Sequence, residues 1–174
     1  MRGGHVMTGF RGIISLCLGL TLSPIAFAQD IPKRSINPNI LSGGINAQDL
    51  ERLSDLDMQR AFSGRTMHGV YKNPRERSGS QFFSEDFLKD GSTLYKEGDI
   101  SDTGMWSTRN DRLCFDYSGP LSGNISCFAV YRIGTCYYSY STNEILNGKP
   151  LIPNAWSVKS KLDGDLSTCE DLMS

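Results

Sequence analysis

Residues 105–140 read MWSTRNDRLCFDYSGPLSGNISCFAVYRIGTCYYSY. This stretch holds three of the five cysteines, one of the two tryptophans and five of the seven tyrosines. Runs rich in aromatic and β-branched residues alternate with turn residues: Asn110-Asp111, then Gly119-Pro120 and Gly123-Asn124, then Gly134. Such runs bounded by Asn, Asp, Gly and Pro are the pattern of an antiparallel meander.

The same rhythm continues on both sides. Strand signals fall at residues 65–71, 81–88, 92–96, 104–109, 112–118, 125–133, 135–141 and 155–162. Asp90-Gly91 is a strong hairpin turn. Between the strands lie a polar loop (72–80), an acidic loop (97–103) and an excursion with two prolines (143–154). No strand–helix–strand alternation occurs, so the expected fold is mainly β: an antiparallel barrel or sandwich of about eight strands. A helix signal precedes it. Asn46 with Asp49, and Ser54 with Asp57, are two candidate caps, and Leu50, Leu53, Leu56, Met58 and Phe62 form an apolar side. One helix broken near Ser54, or two short ones, should end before Gly64 and cover one end of the β-structure.

The cysteines test the register. If Cys114 lies opposite Cys127 in a hairpin, alternation puts Leu113, Phe115, Tyr117, Phe128 and Val130 on one face. The other face then carries Arg112, Cys114, Asp116, Cys127, Ala129 and Tyr131. The first set is a core face, so the pairing agrees with the hydrophobic pattern. Extension through Asn110-Asp111 sets Trp106 opposite Phe115. Extension through Gly134 sets Tyr137 opposite Val130, inside, with Cys136 outside. Four cysteines outside the leader allow three pairings, and elimination then joins Cys136 to Cys169. Each bridge is worth about 2–4 kcal/mol. A metal site is the other use of cysteines, but no CxxC occurs and His68 is the one histidine past the leader.

The first residues read as a targeting segment. Arg2 and Arg11 give a positive start, residues 13–22 (IISLCLGLTL) are apolar, Ser23-Pro24 interrupts them, and Ala26-Phe27-Ala28 offers a cleavage site. That run is too short to span a bilayer, which takes ~20 residues. Cys17 follows Leu16, too large for a lipid-attachment motif. The expected organisation is a signal peptide 1–28 cleaved after Ala28, a flexible leader 29–46 rich in Pro, Asn, Ser and Gly, and a single β-barrel-like domain 47–174. Without residues 1–28 the chain has lost Arg2 and Arg11, so 16 basic residues (18 less two) face 19 acidic ones. That balance gives no basic face for nucleic acid. No second apolar stretch approaches spanning length, so no transmembrane segment is expected after cleavage, and the compartment is the periplasm or the medium.

Candidate functional residues are few. Gly104-x-Trp106 is similar to the Gly-x-Trp of lipocalin-like barrels, although there it sits on the first strand; its plain reading is a core tryptophan behind a glycine. His68 has no nucleophile motif beside it and reads as structural. Glu85-Asp86, Asp99, Asp102, Asp111 and Asp116 could supply a carboxylate pair, yet most sit at expected turns, and Asp99 with Asp102 lacks a calcium-loop pattern. Lys72, Arg75 and Arg77 form a basic loop whose plain reading is solvated surface and whose alternative is a site for an anionic group or a partner. Asn124-Ile125-Ser126 matches the glycosylation triplet, a frequent chance match. Tyr131, Tyr138 and Tyr140 share the non-core face; they form either an aromatic contact patch or a face covered by a helix or by the C-terminal tail that Cys169 brings back.

A resemblance emerges from several of these residues together: Phe62-Ser63-Gly64-Arg65-Thr66 with Gly69, Asp90-Gly91, Gly104-x-Trp106, Asp111-x-Leu113-Cys114 and Cys127-Phe128-x-Val130-Tyr131-Arg132-x-Gly134. Over residues 50–141 the chain resembles a family of small exported alphaproteobacterial proteins known only as a domain of unknown function. The resemblance implies a periplasmic or secreted bacterial protein with a lipocalin-like β-meander and transfers no catalytic residues. Cys136 and Cys169 look like additions to that pattern.

The expected function is a non-catalytic binding or interaction module for a small apolar ligand, an envelope component or a protein partner. Trp106, Tyr131, Tyr138 and Tyr140 are the candidate contact residues. No cofactor, metal or catalytic residue is assigned. The alternatives are a carboxylate-based hydrolase and a secreted structural or host-interaction factor. An enclosed apolar cavity behind Trp106 would favour binding, convergent Asp, Glu and His68 side chains catalysis, and a filled interior the third reading.

Overall fold

The structure is a computed structural model that describes residues 44–165 and Cys169. The expected signal peptide, residues 1–28, and residues 29–43 of the expected leader lie outside the described residues. The elements in chain order are β1 (Glu51–Arg52), α1 (Asp55–Phe62), β2 (Arg65–Tyr71), β3 (Phe82–Phe87), β4 (Ser92–Glu97), β5 (Ile100–Thr108), β6 (Leu113–Tyr117), β7 (Ser126–Ile133), β8 (Cys136–Ser141), β9 (Ile145–Leu146), β10 (Lys149–Pro150) and β11 (Val158–Leu162). From β2 to β8 each strand pairs antiparallel with the next; β11 then pairs with both β8 and β2 and closes an eight-stranded barrel. Closure leaves the eight barrel strands without a free edge.

Local sequence sets the turns. Asn110 and Asp111 both adopt φ 54°, and the Arg109 amide donates to the Arg112 carbonyl at 3.0 Å. That is the two-residue turn whose twist matches a hairpin, and Asn and Asp tolerate its positive φ. It places Trp106 opposite Phe115 and Cys114 opposite Cys127, as the register argument expects. The Cys114–Cys127 disulfide lies on the outer wall with Cα atoms 4.1 Å apart, close to a non-hydrogen-bonded pair. The second disulfide joins Cys136 to Cys169.

Three expectations need correction. Tyr137 lies opposite Arg132, not Val130, because the β7–β8 turn is two residues long and pairs Ile133 with Cys136. The slip is two positions, an even number, so Tyr137 still points inward. The helix is only Asp55–Phe62. Ser54 accepts from the Asp57 amide while the Asp57 carboxylate accepts from Ser54, and this capping box starts the helix there. Upstream, Arg52 and Glu51 are extended and pair with Tyr131 and Arg132 of β7, beyond the reach of the shorter β6. The expected acidic loop is also mostly strand: the β4–β5 turn is only Gly98-Asp99, and Asp102 points into the barrel.

The interior has two ends. At one, α1 closes the barrel with Leu53, Met58 and Phe62, all at most 1 % exposed. Phe62 stacks on Phe87 at 5.2 Å and meets Tyr137 edge-on at 5.1 Å. Asp111 and Asp55 exchange amide–carboxylate hydrogen bonds, which tie the helix start to the β5–β6 turn. The other end is the mouth, framed by residues 72–81, 98–99, 118–125 and 142–157. Outward positions such as His68, Ser84, Asp86, Lys96, Ser101 and Asp116 are polar. A membrane-spanning barrel needs the reverse polarity and strands of about 9–11 residues. Among the described residues no helix is long and apolar enough to cross a membrane.

Candidate functional site

Beneath the mouth lies a cavity of about 120 Å³. Inward alternation builds it strand by strand: Phe83 and Glu85 from β3, Tyr95 from β4, Phe115 and Tyr117 from β6, and Phe128 from β7. Gly69 is the gap in β2 that lets the Phe83 ring lie flat across the sheet; a Cβ there would sit 2.2 Å from the ring. Phe83 stacks on Tyr95 at 5.6 Å and meets Tyr71 at a tilt at 4.9 Å, and Phe115 lies parallel to Tyr117 at 5.9 Å. One side of the cavity is therefore aromatic and aliphatic. The other is polar.

The polar side comes from the basic loop folding inward. Arg77 reaches Glu97, itself fully buried, through Nε at 3.1 Å and Nη2 at 2.5 Å. Ser78 and Tyr95 also donate to Glu97, and Tyr95 in turn contacts Tyr71 at 2.7 Å. Burial would raise Glu97, but the donors Arg77, Ser78 and Tyr95 together hold its carboxyl below its ordinary value. Arg75 lies over the Tyr71 ring at 4.0 Å, at the rim.

Glu85 is the unusual group. It is 2 % exposed and faces the cavity, and among the described residues no cation is bonded to it. Tyr117 donates to its Oε2 at 2.8 Å, and its Oε1 meets the Thr93 hydroxyl. Burial pushes the Glu85 carboxyl up to about 7, against the hydrogen bonds from Thr93 and Tyr117. Burial first, and Glu85 second, push the Tyr117 hydroxyl well above the usual tyrosine range.

The expected site residues are placed elsewhere. Trp106 is at the closed end, 8 % exposed, donating to the Leu88 carbonyl at 2.9 Å and meeting Phe87 edge-on. Tyr131, Tyr138 and Tyr140 do share the outer face, but all are at most 2 % exposed. They form a second core with Cys136 and Cys169 under Ile45, Leu50, Ile145 and Trp156. The Tyr131 hydroxyl donates to Gly148 at 2.9 Å and that of Tyr140 to Pro153 at 2.5 Å, so the 142–157 excursion is their cover. His68 points outward to Asp163 at 2.7 Å, away from every carboxylate of the cavity. Asp102 is occupied by three backbone amides, those of Thr103, Gly119 and Leu121 at 2.6–2.8 Å, and so fixes the loop after β6.

Sequence reasoning named Glu85 among the possible carboxylates but gave it no role, and it did not single out Glu97. Alternation could have found both: Phe83 and Phe87 mark the inward positions of β3, and Tyr95 marks those of β4. A carboxylate in phase with core aromatics must be neutral or partnered. No family model, curated protein or solved structure matches the chain.

Proposed function

We propose that this chain is a small-molecule binding module, acting in the periplasm or outside the cell. The observation that carries it is the cavity at the mouth of a closed eight-stranded barrel, part apolar and part polar. Barrels of this strand number have interiors just wide enough to hold one small ligand. A ligand site pairs an apolar lining with a few placed polar groups, and Phe83, Phe115 and Phe128 face Glu85, Tyr117 and Arg75 in that way. The volume suits a compact ligand, since an apolar cavity of roughly 150 Å³ takes benzene. Two disulfides suit an oxidising compartment and support export.

A raised carboxyl in a cavity is also what a hydrolase uses as its acid, and Glu85 is the reason to keep that second reading. It needs a partner carboxylate, and Glu97 is already committed to Arg77.

Native mass spectrometry of the protein purified from its own compartment should show a retained small molecule. Ser126 is exposed at the cavity rim, so Ser126→Trp should plug the mouth, abolish that retention and leave the melting temperature unchanged. A plugged variant that retains the same molecule would place the ligand elsewhere and overturn the reading.

A further inference from the structure

Among the described residues, the charged group at the cavity that lacks an ion-pair or amide partner is a cation. Arg77 is neutralised by Glu97. Asp102 is satisfied by backbone amides. The state of Glu85 follows from its surroundings. The single hydrogen of the Thr93 hydroxyl is shared between the Asp86 carbonyl, at 2.8 Å, and Glu85 Oε1. Among the described residues no cation bonds the carboxyl, and burial pushes it up to about 7, so at pH ~6 it keeps its proton. Arg75 is then left over: among the described residues it forms no ion pair, and its guanidinium lies flat on Tyr71 at the rim.

Resting on the binding reading above, we propose that the cavity takes a small organic carboxylate. Its apolar body lies against Phe83, Phe115 and Phe128, and its charge meets the Arg75 guanidinium at the rim. Arginine offers a planar fork that fits a carboxylate with two parallel hydrogen bonds. An amine would find no anion: Glu97 has its cation, Asp102 its amides, and Glu85 its proton. A neutral alcohol would fill the same apolar space and leave Arg75 as it is.

The site also couples to protons. Around Glu85 stand Tyr117 from β6, Tyr95 and Glu97 from β4, Asp102 from β5, its neighbour Asp86, and Arg75 and Arg77 from the mouth loop. Of these, Asp86 and Asp102 disfavour a charge on Glu85. Ionising Glu85 puts a negative charge beside a bound anion, so affinity for the anion falls once the carboxyl loses its proton.

Three probes with one skeleton test this by calorimetry on the full-length mature protein: phenylacetate, 2-phenylethanol and 2-phenylethylamine. At pH ~6 phenylacetate should bind about tenfold or more tighter than the alcohol, the worth of a charge-assisted hydrogen bond, and the amine weakest. Arg75→Gln, at an exposed loop position, should bring phenylacetate down to the level of the alcohol with an unchanged melting temperature. Affinity for phenylacetate should fall by up to about tenfold per pH unit above the Glu85 titration, and Glu85→Gln should remove that pH dependence. Equal binding of all three, tightest binding of the amine, or indifference to Arg75→Gln overturns the carboxylate proposal and leaves the cavity as a ligand site. If no probe binds and no molecule is retained on purification, the binding reading falls with it.

Discussion

Replacing Glu85 by glutamine keeps the shape of the side chain and removes its titration. The amide nitrogen can donate to Thr93, and the amide oxygen can accept from Tyr117, so both contacts of the carboxyl survive. In the unfolded chain Glu85 releases its proton near 4.5; in the folded barrel it holds it up to about 7. The folded state therefore binds the extra proton between those two values. What Glu85 contributes to stability is complete below about pH 4.5 and is lost as pH rises through about 7. At 1.36 kcal/mol per unit the loss is about 3 kcal/mol. Groups that titrate alike in both proteins cancel in the difference between them. Urea unfolding with the disulfides intact, followed by tryptophan fluorescence over a pH series, gives that difference directly. The advantage of Glu85→Gln over the wild type should grow by about 3 kcal/mol between pH ~4.5 and ~7.5 and then level off. Parallel stability curves over that range would refute the burial of a carboxyl that keeps its proton for want of a cation.

Ser54→Ala removes the side chain that caps α1 and should cost about 1 kcal/mol in the same unfolding assay, with ligand binding intact because the helix closes the far end. Gly104→Ala places a Cβ 2.3 Å from the Asp116 carbonyl oxygen, where strand backbone leaves no room, and should destabilise by about 3 kcal/mol. Non-reducing peptide mapping should recover Cys114 linked to Cys127 and Cys136 linked to Cys169; opening the second, which closes 33 residues, should cost slightly more than the first, which closes 13, each about 3–4 kcal/mol.

The strands were legible because each carries its own turn chemistry. Asn110-Asp111 fixes one hairpin and with it the facing of Trp106 and Phe115; Cys114 opposite Cys127 was an assumed pair that agreed with the hydrophobic pattern, and the structure has both. Tyr137 kept its inward direction despite a misjudged turn length, since a slip of two preserves parity. Barrel closure was not legible, because the β11–β2 pairing joins segments far apart in the chain with no local signal between them. Leu50 and Leu53 looked helical by spacing; one lies in the cover of the tyrosine core and the other under the barrel floor, both reached by extended chain. The site was harder still. Arg75 and Arg77 read as solvated surface because a loop's sequence does not say which way it folds. Glu97 read as loop because Gly98-Asp99 makes a turn of only two residues.

The second core gives the barrel wall an uneven stiffness. From Cys136 to Tyr140 every residue of β8 is buried, inward against the barrel and outward under the excursion and Cys169. By contrast β5 alternates buried and wet positions. Amide protons of β8 should thus exchange with solvent only when the whole chain unfolds, and those of β4 and β5 through smaller openings. On that expectation the mouth opens on the side of β4 and β5 while β8, under its cover, stays shut, and entry to the interior requires only a local fluctuation of one side.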